Sequence, residues 1–326
     1  MNQLFFSLII PVYNRPDEIN ELLQSLTLQS YKNFEVIIVE DGSKEELRCE
    51  RIVEKFKNEI LIKYFFKENS GQGFTRNYAF ERASGDFFII FDSDIIVPPQ
   101  YLEVVNNKIN LENLDAFGGP DAAAPDFNNI QKAISYSMTS IFTTGGIRGN
   151  KKHAGVFHPR SFNMGISRKI YKSVGGFIIT RMAEDLEYSI RIIKSGFNVA
   201  LISEAYVFHK RRSNFVQFYK QLYFFGRARI NLSRFYPNEL KIVHFFPMAF
   251  TLGILCIPIL FFIYLPLFYT AIIFVSIFTF LIFIDASIQN KNLKIGSLSV
   301  VASFTQLLGY GFGFIEEGLM KIFRKV

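Results

Sequence analysis

The sequence predicts an α/β fold in which a mostly parallel sheet carries helices on both faces, followed by a C-terminal transmembrane helical hairpin. Three observations support this prediction. Strand and helix patterns alternate over the first 240 residues, which is typical of a parallel sheet covered on both faces. The apolar run Phe87–Phe91 fits a strand that is buried on both sides. No Asp, Glu, Lys or Arg occurs from residue 242 to 284, which is typical of membrane-spanning helices.

The predicted elements follow one another along the N-terminal part of the chain. Continuous apolar runs indicate buried strands, and apolar residues spaced three or four apart indicate helices. The predicted strands are Leu4–Val12, Phe34–Val39, Ile60–Phe66 and Phe87–Phe91, and the predicted helices are Asp17–Gln29, Glu45–Phe56 and Gly73–Ala83. A later helix is predicted to open at Glu184 and Asp185, to end at Ser195-Gly196, and to bury the apolar residues Leu186, Ile190, Ile193 and Phe197.

Two domains are predicted, at 1–240 and 241–326. A bilayer crossing needs ~20 apolar residues, so the charge-free stretch is long enough for two helices, at about 243–263 and 266–285. A buried hairpin of a soluble domain is the weaker alternative, because soluble core helices seldom exceed ~14 apolar residues without a charge. A third apolar segment, 295–315, contains Gln306 and several Gly and Ser residues. It is predicted to span the bilayer, to re-enter it or to lie in the interface.

Basic residues indicate the orientation of the membrane region. Between His209 and Ile242 the only acidic residue is Glu239, whereas Lys and Arg recur throughout. Cytoplasmic segments carry such an excess of positive charge, so we expect an integral protein of the cytoplasmic membrane whose N-terminal domain faces the cytoplasm. The basic tail that begins at Lys321 would lie outside if the third segment crossed. This favours an interfacial or re-entrant third segment.

The composition argues against several other functions. The net charge is +7, but the positive charge is concentrated beside the membrane segments and not along an aromatic-studded groove, so no nucleic-acid partner is expected. The two cysteines, Cys49 and Cys256, are too few and too far apart for a disulfide framework or a zinc cluster. Gly71-Gln72-Gly73 begins like a dinucleotide fingerprint, but Arg76 stands at the third glycine position, which argues against a nicotinamide cofactor.

Polar side chains follow three of the predicted strands. They are Pro11, Tyr13 and Asn14 after the first strand, Glu40 and Asp41 after the second, and Asp92 and Asp94 after the fourth. Residues two apart in a strand point to the same side, so Asp92 and Asp94 are expected to converge at the carboxyl edge of the sheet. Open α/β sheets bind ligands at this edge. Turn and helix-cap roles are the alternative, since short Asp motifs are common by chance.

The two aspartates also suggest a chemistry. Carboxylates at this spacing suit Mg²⁺ or Mn²⁺, which bind through one or two carboxylates together with substrate phosphates. Such a cation would neutralise a diphosphate. Glu184 and Asp185 would place a second acidic group at a helix start, where a carboxylate can act as a general base for a hydroxyl. The helix dipole alone is the other explanation for acidic residues at this position.

Six segments between Ser7 and Arg191 carry a family resemblance when they are taken in order. They are SLIIPVYNRPDE, VIIVEDGS, NSGQGFTRNYA, FDSD, SFNMGISR with VGGF, and AEDLEYSIR. This ordered set resembles a family 2 glycosyltransferase of the GT-A fold, of the membrane-anchored bacterial type. The resemblance covers more than half of the chain. No single motif in the set is decisive.

The resemblance implies a nucleotide-sugar site. The residues matched to that site are Pro11, Tyr13, Asn14, Glu40, Asp41, Arg76, Asp92 and Asn163. The first three form the first nucleotide-binding loop, and the acidic pair contacts the nucleoside, although Glu40 replaces the usual first Asp. Arg76 matches an arginine near the phosphates, and Asn163 lies with Met164 in the segment that lines the sugar and acceptor site.

The resemblance also implies the metal and catalytic residues. Asp92 and Asp94 match the DxD motif, with Asp94 as the direct metal ligand. His209 stands where many members carry a histidine near the metal or diphosphate, and a purely structural role is an equal alternative. Asp185 matches the catalytic base, and Glu184 precedes it in the same motif.

The implied function is the metal-dependent, inverting transfer of a single sugar from a nucleotide-diphosphate sugar to a hydroxyl of a lipid-linked or polysaccharide-precursor acceptor, with UDP expected in preference to GDP. One alternative is a processive synthase of the same fold, but its Gln-x-x-Arg-Trp motif is missing because the chain contains no Trp. A non-catalytic membrane-anchored module is the other alternative. Thr143–Pro159 is expected to form a mobile loop over the donor or acceptor, and Lys210-Arg211-Arg212 to hold phosphate or face anionic lipid.

Overall fold

The computed structural model describes residues 2–122, 127–144, 157–209 and 212–323. The chain forms two compact units. The first contains residues 1–124 and 156–210, and the second contains residues 125–155 and 211–326.

The first unit is built on a seven-stranded sheet. Its strands are β1 (Phe6–Val12), β2 (Phe34–Asp41), β3 (Leu61–Lys67), β4 (Phe87–Phe91), β6 (Ala116–Gly118), β8 (Asn163–Ser167) and β9 (Val199–Leu201), in the order β3-β2-β1-β4-β8-β6-β9. Strands β3, β2, β1 and β4 are parallel neighbours, and β8 runs antiparallel between β4 and β6. A second sheet joins β5 (Ile95–Ile96), β10 (Val207–His209) and β7 (Asp121–Ala122). The prediction of a mostly parallel sheet is therefore confirmed.

Helices cover both faces of the larger sheet. Alternate residues of β2 point to opposite faces: Val36 and Ile38 enter one core, and Ile37 and Val39 enter the other. The first core is closed by α1 (Pro16–Thr27), α2 (Glu50–Phe56) and α4 (Tyr101–Glu112), and the second by α3 (Gln72–Phe80), α7 (Arg168–Val174) and α8 (Glu184–Lys194). Both faces of the central strands are buried, which explains their continuous apolar runs.

Two sequence predictions differ from the structure in this unit. The predicted helix Glu45–Phe56 is divided into a 3₁₀ turn, Glu45–Leu47, and α2, because the backbone is extended at Arg48. The α8 residues that enter the second core are Tyr188 and Ile192, whereas Leu186 and Ile193 are only half-buried. Of the other predicted residues, Ile190 is buried and Phe197 packs against the second core, so the predicted face is confirmed in part.

The second unit is helical. It contains α5 (Asn129–Thr139), α6 (Ile141–Thr144), α9 (Phe215–Phe235), α10 (Phe246–Ile263), α11 (Leu265–Asn290) and α12 (Leu293–Phe323), with 3₁₀ turns at Pro237–Glu239 and Ile242–Phe245. Three helical segments, Ile242–Ile263, Leu265–Asn290 and Leu293–Phe323, are long and apolar enough to cross a membrane. Tyr264 alone separates α10 from α11, between the predicted helices at about 243–263 and 266–285. The third apolar segment is one continuous helix and extends beyond the predicted 295–315, without the break that a re-entrant segment needs.

Candidate active site

The ends of β1, β2 and β4 meet at the carboxyl edge of the sheet. Because these strands are parallel neighbours, the polar residues that follow them lie close together. Asn14 has a positive φ of 53°, which Asn tolerates better than most residues. Its backbone N–H donates to Ser43 Oγ at 2.8 Å, and its Oδ1 accepts from Lys44 N at 2.9 Å. These bonds join the loop after β1 to the loop after β2. Tyr13 is exposed beside them, and Pro11 lies within β1.

Asp41 organises the loop that leads into α3. Its carboxylate accepts hydrogen bonds from Lys67 Nζ at 2.7 Å, Ser70 N at 2.8 Å and Gly71 N at 2.9 Å. Burial opposes ionisation of Asp41, but these donors outweigh it, so its pKa lies below the ordinary value. Gly71 has φ +87°, and a Cβ there would lie 2.3 Å from Thr180 Oγ1, so only glycine fits the turn.

Glu40 points into the protein at the end of β2. The residue is fully buried, and its Oε1 accepts from Cys49 N at 2.8 Å at the start of α2. Its Oε2 is buried without a hydrogen-bond partner among the described residues. Glu40 therefore fixes the start of α2, and its predicted contact with a nucleoside stays a prediction.

Asp92, Asp94 and His209 form the candidate metal centre. One ligand atom from each lies within 4.8 Å of the others. Asp94 Oδ1 and His209 Nε2 are 3.1 Å apart, close to the separation of about 3.0 Å between neighbouring ligands of an octahedral cation with bonds near 2.1 Å. Two carboxylates and an imidazole thus fit a divalent cation. The His209 ring stacks on Phe162, with ring centroids 5.3 Å apart, which fixes its orientation.

Asp94 is buried among positive charge. Its Oδ2 accepts from Arg15 Nη1 at 2.5 Å, and its Oδ1 faces His209. Burial opposes ionisation, but His209 and Arg15 outweigh it and hold the pKa of Asp94 well below its usual range. The carboxylate is therefore charged at neutral pH, which a metal ligand requires.

Arg76 connects the two acidic motifs. Its Nη2 donates to Asp92 Oδ1 at 3.0 Å, and its Nη1 donates to Glu184 Oε1 at 3.2 Å. The side chain is 1% exposed, and the guanidinium lies 5.4 Å from the centre of the Phe177 ring. Its Nε is buried without a hydrogen-bond partner among the described residues. One buried cation therefore bridges the DxD segment after β4 and the acidic start of α8.

Replacing Arg76 by Gln is expected to lower the free energy of unfolding by about 3–5 kcal/mol, because it leaves the buried Glu184 without its charged partner. Thermal or denaturant unfolding of the detergent-purified protein measures this change. Arg51→Gln, at an exposed position of α2, is the matched control and should change stability by no more than about 0.5 kcal/mol. Equal effects of the two substitutions would contradict the bridging role.

Asp185 lies at the start of α8, beside Arg160. Its Oδ2 accepts from Arg160 Nε at 2.7 Å, and its Oδ1 accepts from Leu186 N at 2.8 Å. Burial opposes ionisation, but Arg160 and Arg76 outweigh it and depress the pKa of Asp185. In contrast, burial and the neighbouring Asp185 raise the pKa of Glu184, which also accepts from Gln72 Nε2. The pKa values of the two adjacent carboxyls are thus shifted in opposite directions, and the shift favours the ionised form of Asp185.

Backbone strain is concentrated just before this pair. Met182 and Ala183 have φ of 63° and 72°, in the left-handed region that costs a non-glycine residue about 1–2 kcal/mol. Strained backbone of this kind clusters at functional sites. The two residues turn the chain so that α8 begins with both carboxyls facing the interior.

Asn163 is fully buried at the start of β8, next to the end of β4. Its Oδ1 accepts from the Tyr101 hydroxyl, and its Nδ2 donates to Ala205 O at 2.8 Å. Both amide groups are thus used within the protein, and the predicted contact of Asn163 with the donor stays a prediction.

Two contacts of the site were absent from the sequence prediction. Arg15 pairs with Asp94, and Arg160 pairs with Asp185. Arg15 stands in the first matched motif, which is the signal that could have identified it, whereas no motif pointed to Arg160. Most of the predicted Thr143–Pro159 loop, together with Lys210 and Arg211, lies outside the described residues.

Comparisons with known proteins identify the family of this chain. A family model described as Glycosyl transferase family 2 matches residues 7–175. The uncharacterized glycosyltransferase RC0461 of Rickettsia conorii is 36% identical over 116 residues, which cover 35% of this chain and 19% of that protein. The poly(ribitol-phosphate) beta-N-acetylglucosaminyltransferase TarS of Staphylococcus aureus strain MW2 is 37% identical over 165 residues, 44% of this chain and 28% of TarS. The chain therefore matches less than a third of the length of these relatives.

A solved structure extends the likeness to the whole chain. The mannosyltransferase PcManGT from Pyrobaculum calidifontis, in complex with GDP-Man and Mn²⁺, matches with a TM-score of 0.59 at 16% identity, over 100% of this chain and 89% of that chain. This confirms the predicted GT-A fold. Because residues 7–175 are just over half of the 326 in the sequence, the chain belongs to glycosyl transferase family 2.

Proposed function

We propose that the protein transfers a single sugar, with inversion of configuration, from a nucleotide-diphosphate sugar to an acceptor hydroxyl. The observation that carries the proposal is the Arg76 bridge. Asp92 of the candidate metal centre and Glu184 beside the candidate base bind the same buried guanidinium, at 3.0 and 3.2 Å. The cation-bound diphosphate of the donor and the carboxylate that deprotonates the acceptor would then lie at one reaction centre.

The metal would be held by Asp92, Asp94 and His209. When bound, a divalent cation would neutralise the diphosphate leaving group. The carboxylates suit Mg²⁺ and Mn²⁺ alike, and the imidazole favours Mn²⁺. Arg15 forms an ion pair with Asp94 and would orient this carboxylate toward the metal centre. The buried Nε–H of Arg76, which has no hydrogen-bond partner among the described residues, would be a further hydrogen-bond donor beside the metal centre.

Asp185 would be the general base. Its depressed pKa keeps it ionised at neutral pH, so it can accept the proton of an acceptor hydroxyl that attacks the anomeric carbon from the face opposite the diphosphate. Leu186 N is fixed as part of the first turn of α8, but the Arg160 side chain is about one-third exposed. Arg160 is therefore the partner that would turn away when the hydroxyl binds to Oδ2.

For the substrates, we propose a UDP-sugar in preference to a GDP-sugar, and a lipid-linked or polysaccharide-precursor acceptor. A sugar donor is supported by the sequence likeness to TarS, which is named as an N-acetylglucosaminyltransferase, and the preference for UDP stays a prediction from the family resemblance. The acceptor proposal is supported by the apolar helices α10 and α11, which would hold the enzyme where lipid-linked acceptors lie. We place the N-terminal unit on the cytoplasmic side, because basic residues precede α10.

A panel of UDP- and GDP-sugars tests the proposal. The detergent-purified protein is incubated with each donor, Mn²⁺ and a lipid-linked saccharide acceptor, and release of the nucleoside diphosphate and the anomeric configuration of the glycosylated product are followed by NMR. We expect one donor class to be consumed and the configuration to invert. Retention of configuration, or no consumption of any donor by folded protein, would contradict the proposal.

Arg160→Gln should shift the acid side of the pH–activity profile to higher pH. Arg160 depresses the pKa of Asp185, and the base form exists only above that pKa. Loss of the positive charge raises the pKa, so activity is lost earlier as the pH falls. The measurement is kcat/KM against pH for the wild type, for Arg160→Gln and for Arg160→Lys, which keeps the charge and should restore much of the profile. An unchanged acid limb in Arg160→Gln would refute this assignment.

A further inference from the structure

The ring contacts and close approaches of α12 to the α10–α11 hairpin involve the start of α10 and the second half of α11. Near the start of α12, a Cβ on Gly296 would lie 2.0 Å from Ser287 Oγ, close to the end of α11. Near its other end, the Phe314 ring lies 5.1 Å from the ring of Phe245, which immediately precedes α10. Thus α12 reaches from the end of α11 to the start of α10.

These two contact points determine the direction of α12. Gly296 and Phe314 are about 27 Å apart along a helix. Because α10 and α11 are joined at Tyr264 alone, the start of α10 and the end of α11 lie on the same side of any membrane that the hairpin crosses. If α12 ran through the bilayer beside α11, its C-terminal half would reach the hairpin tip. The C-terminal half of α12 instead contacts Phe245 and Pro247 at the start of α10.

The middle of α12 is consistent with a helix that lies across the hairpin. The Phe304 ring lies 5.6 Å from Phe250 of α10 and 6.2 Å from Phe278 of α11, and the rings of Phe250 and Phe278 are 5.6 Å apart. All three aromatic rings therefore meet where α12 passes both helices. Thr251 Oγ1 also reaches Leu307 O at 3.4 Å.

The charged helix α9 runs beside the C-terminal half of α12, in the same direction. A Cβ on Gly313 would lie 2.0 Å from Tyr223 O. Further along, Glu317 pairs with Arg227 at 3.0 Å and with Arg234 at 2.9 Å. If α12 crossed the bilayer, these arginines and the exposed Lys220 would be drawn toward the hydrocarbon, where charged side chains are costly.

The helix α12 differs from the other two apolar helices in how much of it is buried. In the most apolar 18-residue stretch of α10, and likewise of α11, only 6% of the residues are buried, as expected for helices that face lipid. In the corresponding stretch of α12, half of the residues are buried. Ile295 and Ala302 of α12 belong to one buried apolar cluster with Ala133 and Ile134 of α5. Thus α12 packs against the polar helices α5 and α9 as well as against the hairpin.

From these contacts we infer that α12 lies along the membrane surface, across the open end of the hairpin, and that only α10 and α11 cross the bilayer. The partner of α12 and of the neighbouring α9 is the lipid surface. Lys220 on α9 and Lys294 on α12 are exposed and would meet anionic head groups. Two crossings return the chain to its starting side, so the end of α12 lies on the same side as the N-terminal unit.

Single-cysteine labelling tests this topology in the full-length protein. In a Cys256→Ser background, whose remaining Cys49 is buried, one cysteine replaces an exposed residue at each of four positions. The substitutions are Glu45→Cys in the N-terminal unit, Tyr264→Cys at the hairpin tip, Leu293→Cys at the start of α12 and Ile322→Cys near its end. A membrane-impermeant maleimide is applied to intact spheroplasts and to inverted vesicles. Labelling after SDS denaturation measures the total thiol, from which the signal of Cys49 in the Cys256→Ser background is subtracted.

We expect Glu45→Cys, Leu293→Cys and Ile322→Cys to react from one side and Tyr264→Cys from the other. Reaction of Ile322→Cys from the same side as Tyr264→Cys would show that α12 crosses and would overturn the inference. A protease-sensitive tag after residue 326 provides the second measurement if Ile322→Cys is shielded by lipid. Its digestion from the side that labels Glu45→Cys supports the surface position, and its digestion from the opposite side refutes it.

Discussion

Asp185→Asn is expected to reduce sugar transfer by about 10²–10⁴-fold, the contribution typical of a general base, and to leave nucleotide binding within about twofold of wild type. The substitution keeps the size of the side chain and its acceptor for Leu186 N, but it removes the charge that takes up the proton. The measurements are single-turnover transfer rates and calorimetric binding of the nucleoside diphosphate.

Asp17→Asn is the matched control for that experiment. Asp17 lies in the first turn of α1, just as Asp185 lies in the first turn of α8, but Asp17 is exposed and Asp185 is buried. The control should keep wild-type activity. If Asp185→Asn retained substantial transfer, Asp185 would not be the base, and Glu184 would become the next carboxyl to test. Thermal unfolding of both variants distinguishes loss of chemistry from loss of fold.

Asp94→Asn is expected to lower metal-supported transfer by at least about 100-fold, because a metal ligand is lost and Arg15 is left without its buried charge partner. The Mn²⁺ concentration required for half-maximal activity should rise in parallel. Activity measured against Mn²⁺ concentration, at a fixed donor concentration, reports both effects.

Asp86→Asn is the control for the metal site. Asp86 immediately precedes β4, at the opposite end from Asp94, and its Oδ2 accepts from Phe5 N at 2.8 Å. It should alter stability without altering the requirement for Mn²⁺. A wild-type metal requirement in Asp94→Asn would remove Asp94 from the metal centre, even if the overall rate had fallen.

The sheet and the position of the site were predictable from the sequence. Buried parallel strands need continuous apolar runs, so Phe87–Phe91 was predicted with the observed bounds, and the carboxyl ends of neighbouring strands must meet at one edge. Asp92 and Asp94 are therefore expected to converge at this edge, whereas His209 is assigned to the metal only by the family resemblance, with a structural role as the equal alternative. Their proximity in space agrees with that prediction.

The partners of these residues were not predictable, because they come from positions far apart in the chain. Arg15 and Asp94 are separated by 79 residues, and Arg160 and Asp185 by 25. Neither pair lies at a helical or strand spacing that could be recognised in the sequence. The internal roles of Asn163 and Glu40 were hidden for the same reason, since their hydrogen bonds depend on how Tyr101 and Cys49 pack.

The membrane region shows a different limit of sequence patterns. The charge-free stretch predicted the two helices of the hairpin, because lipid-facing helices need apolar residues all around. Composition alone could not determine whether the third helix crosses the bilayer or lies on its surface. Its apolar surface packs against α5, α9 and the hairpin, and a helix covered by protein has nearly the same composition as one covered by lipid.

Binding of UDP and GDP to the detergent-purified wild type and to Asp94→Ala, each with and without Mn²⁺, tests the central claim most directly. Isothermal calorimetry should show one nucleotide, expected to be UDP, binding to the wild type only with Mn²⁺, and this binding should be lost in Asp94→Ala. That result would assign the two aspartates at the end of β4 to a diphosphate-bound cation. Metal-independent binding, or no binding of either nucleotide to folded protein, would contradict the account.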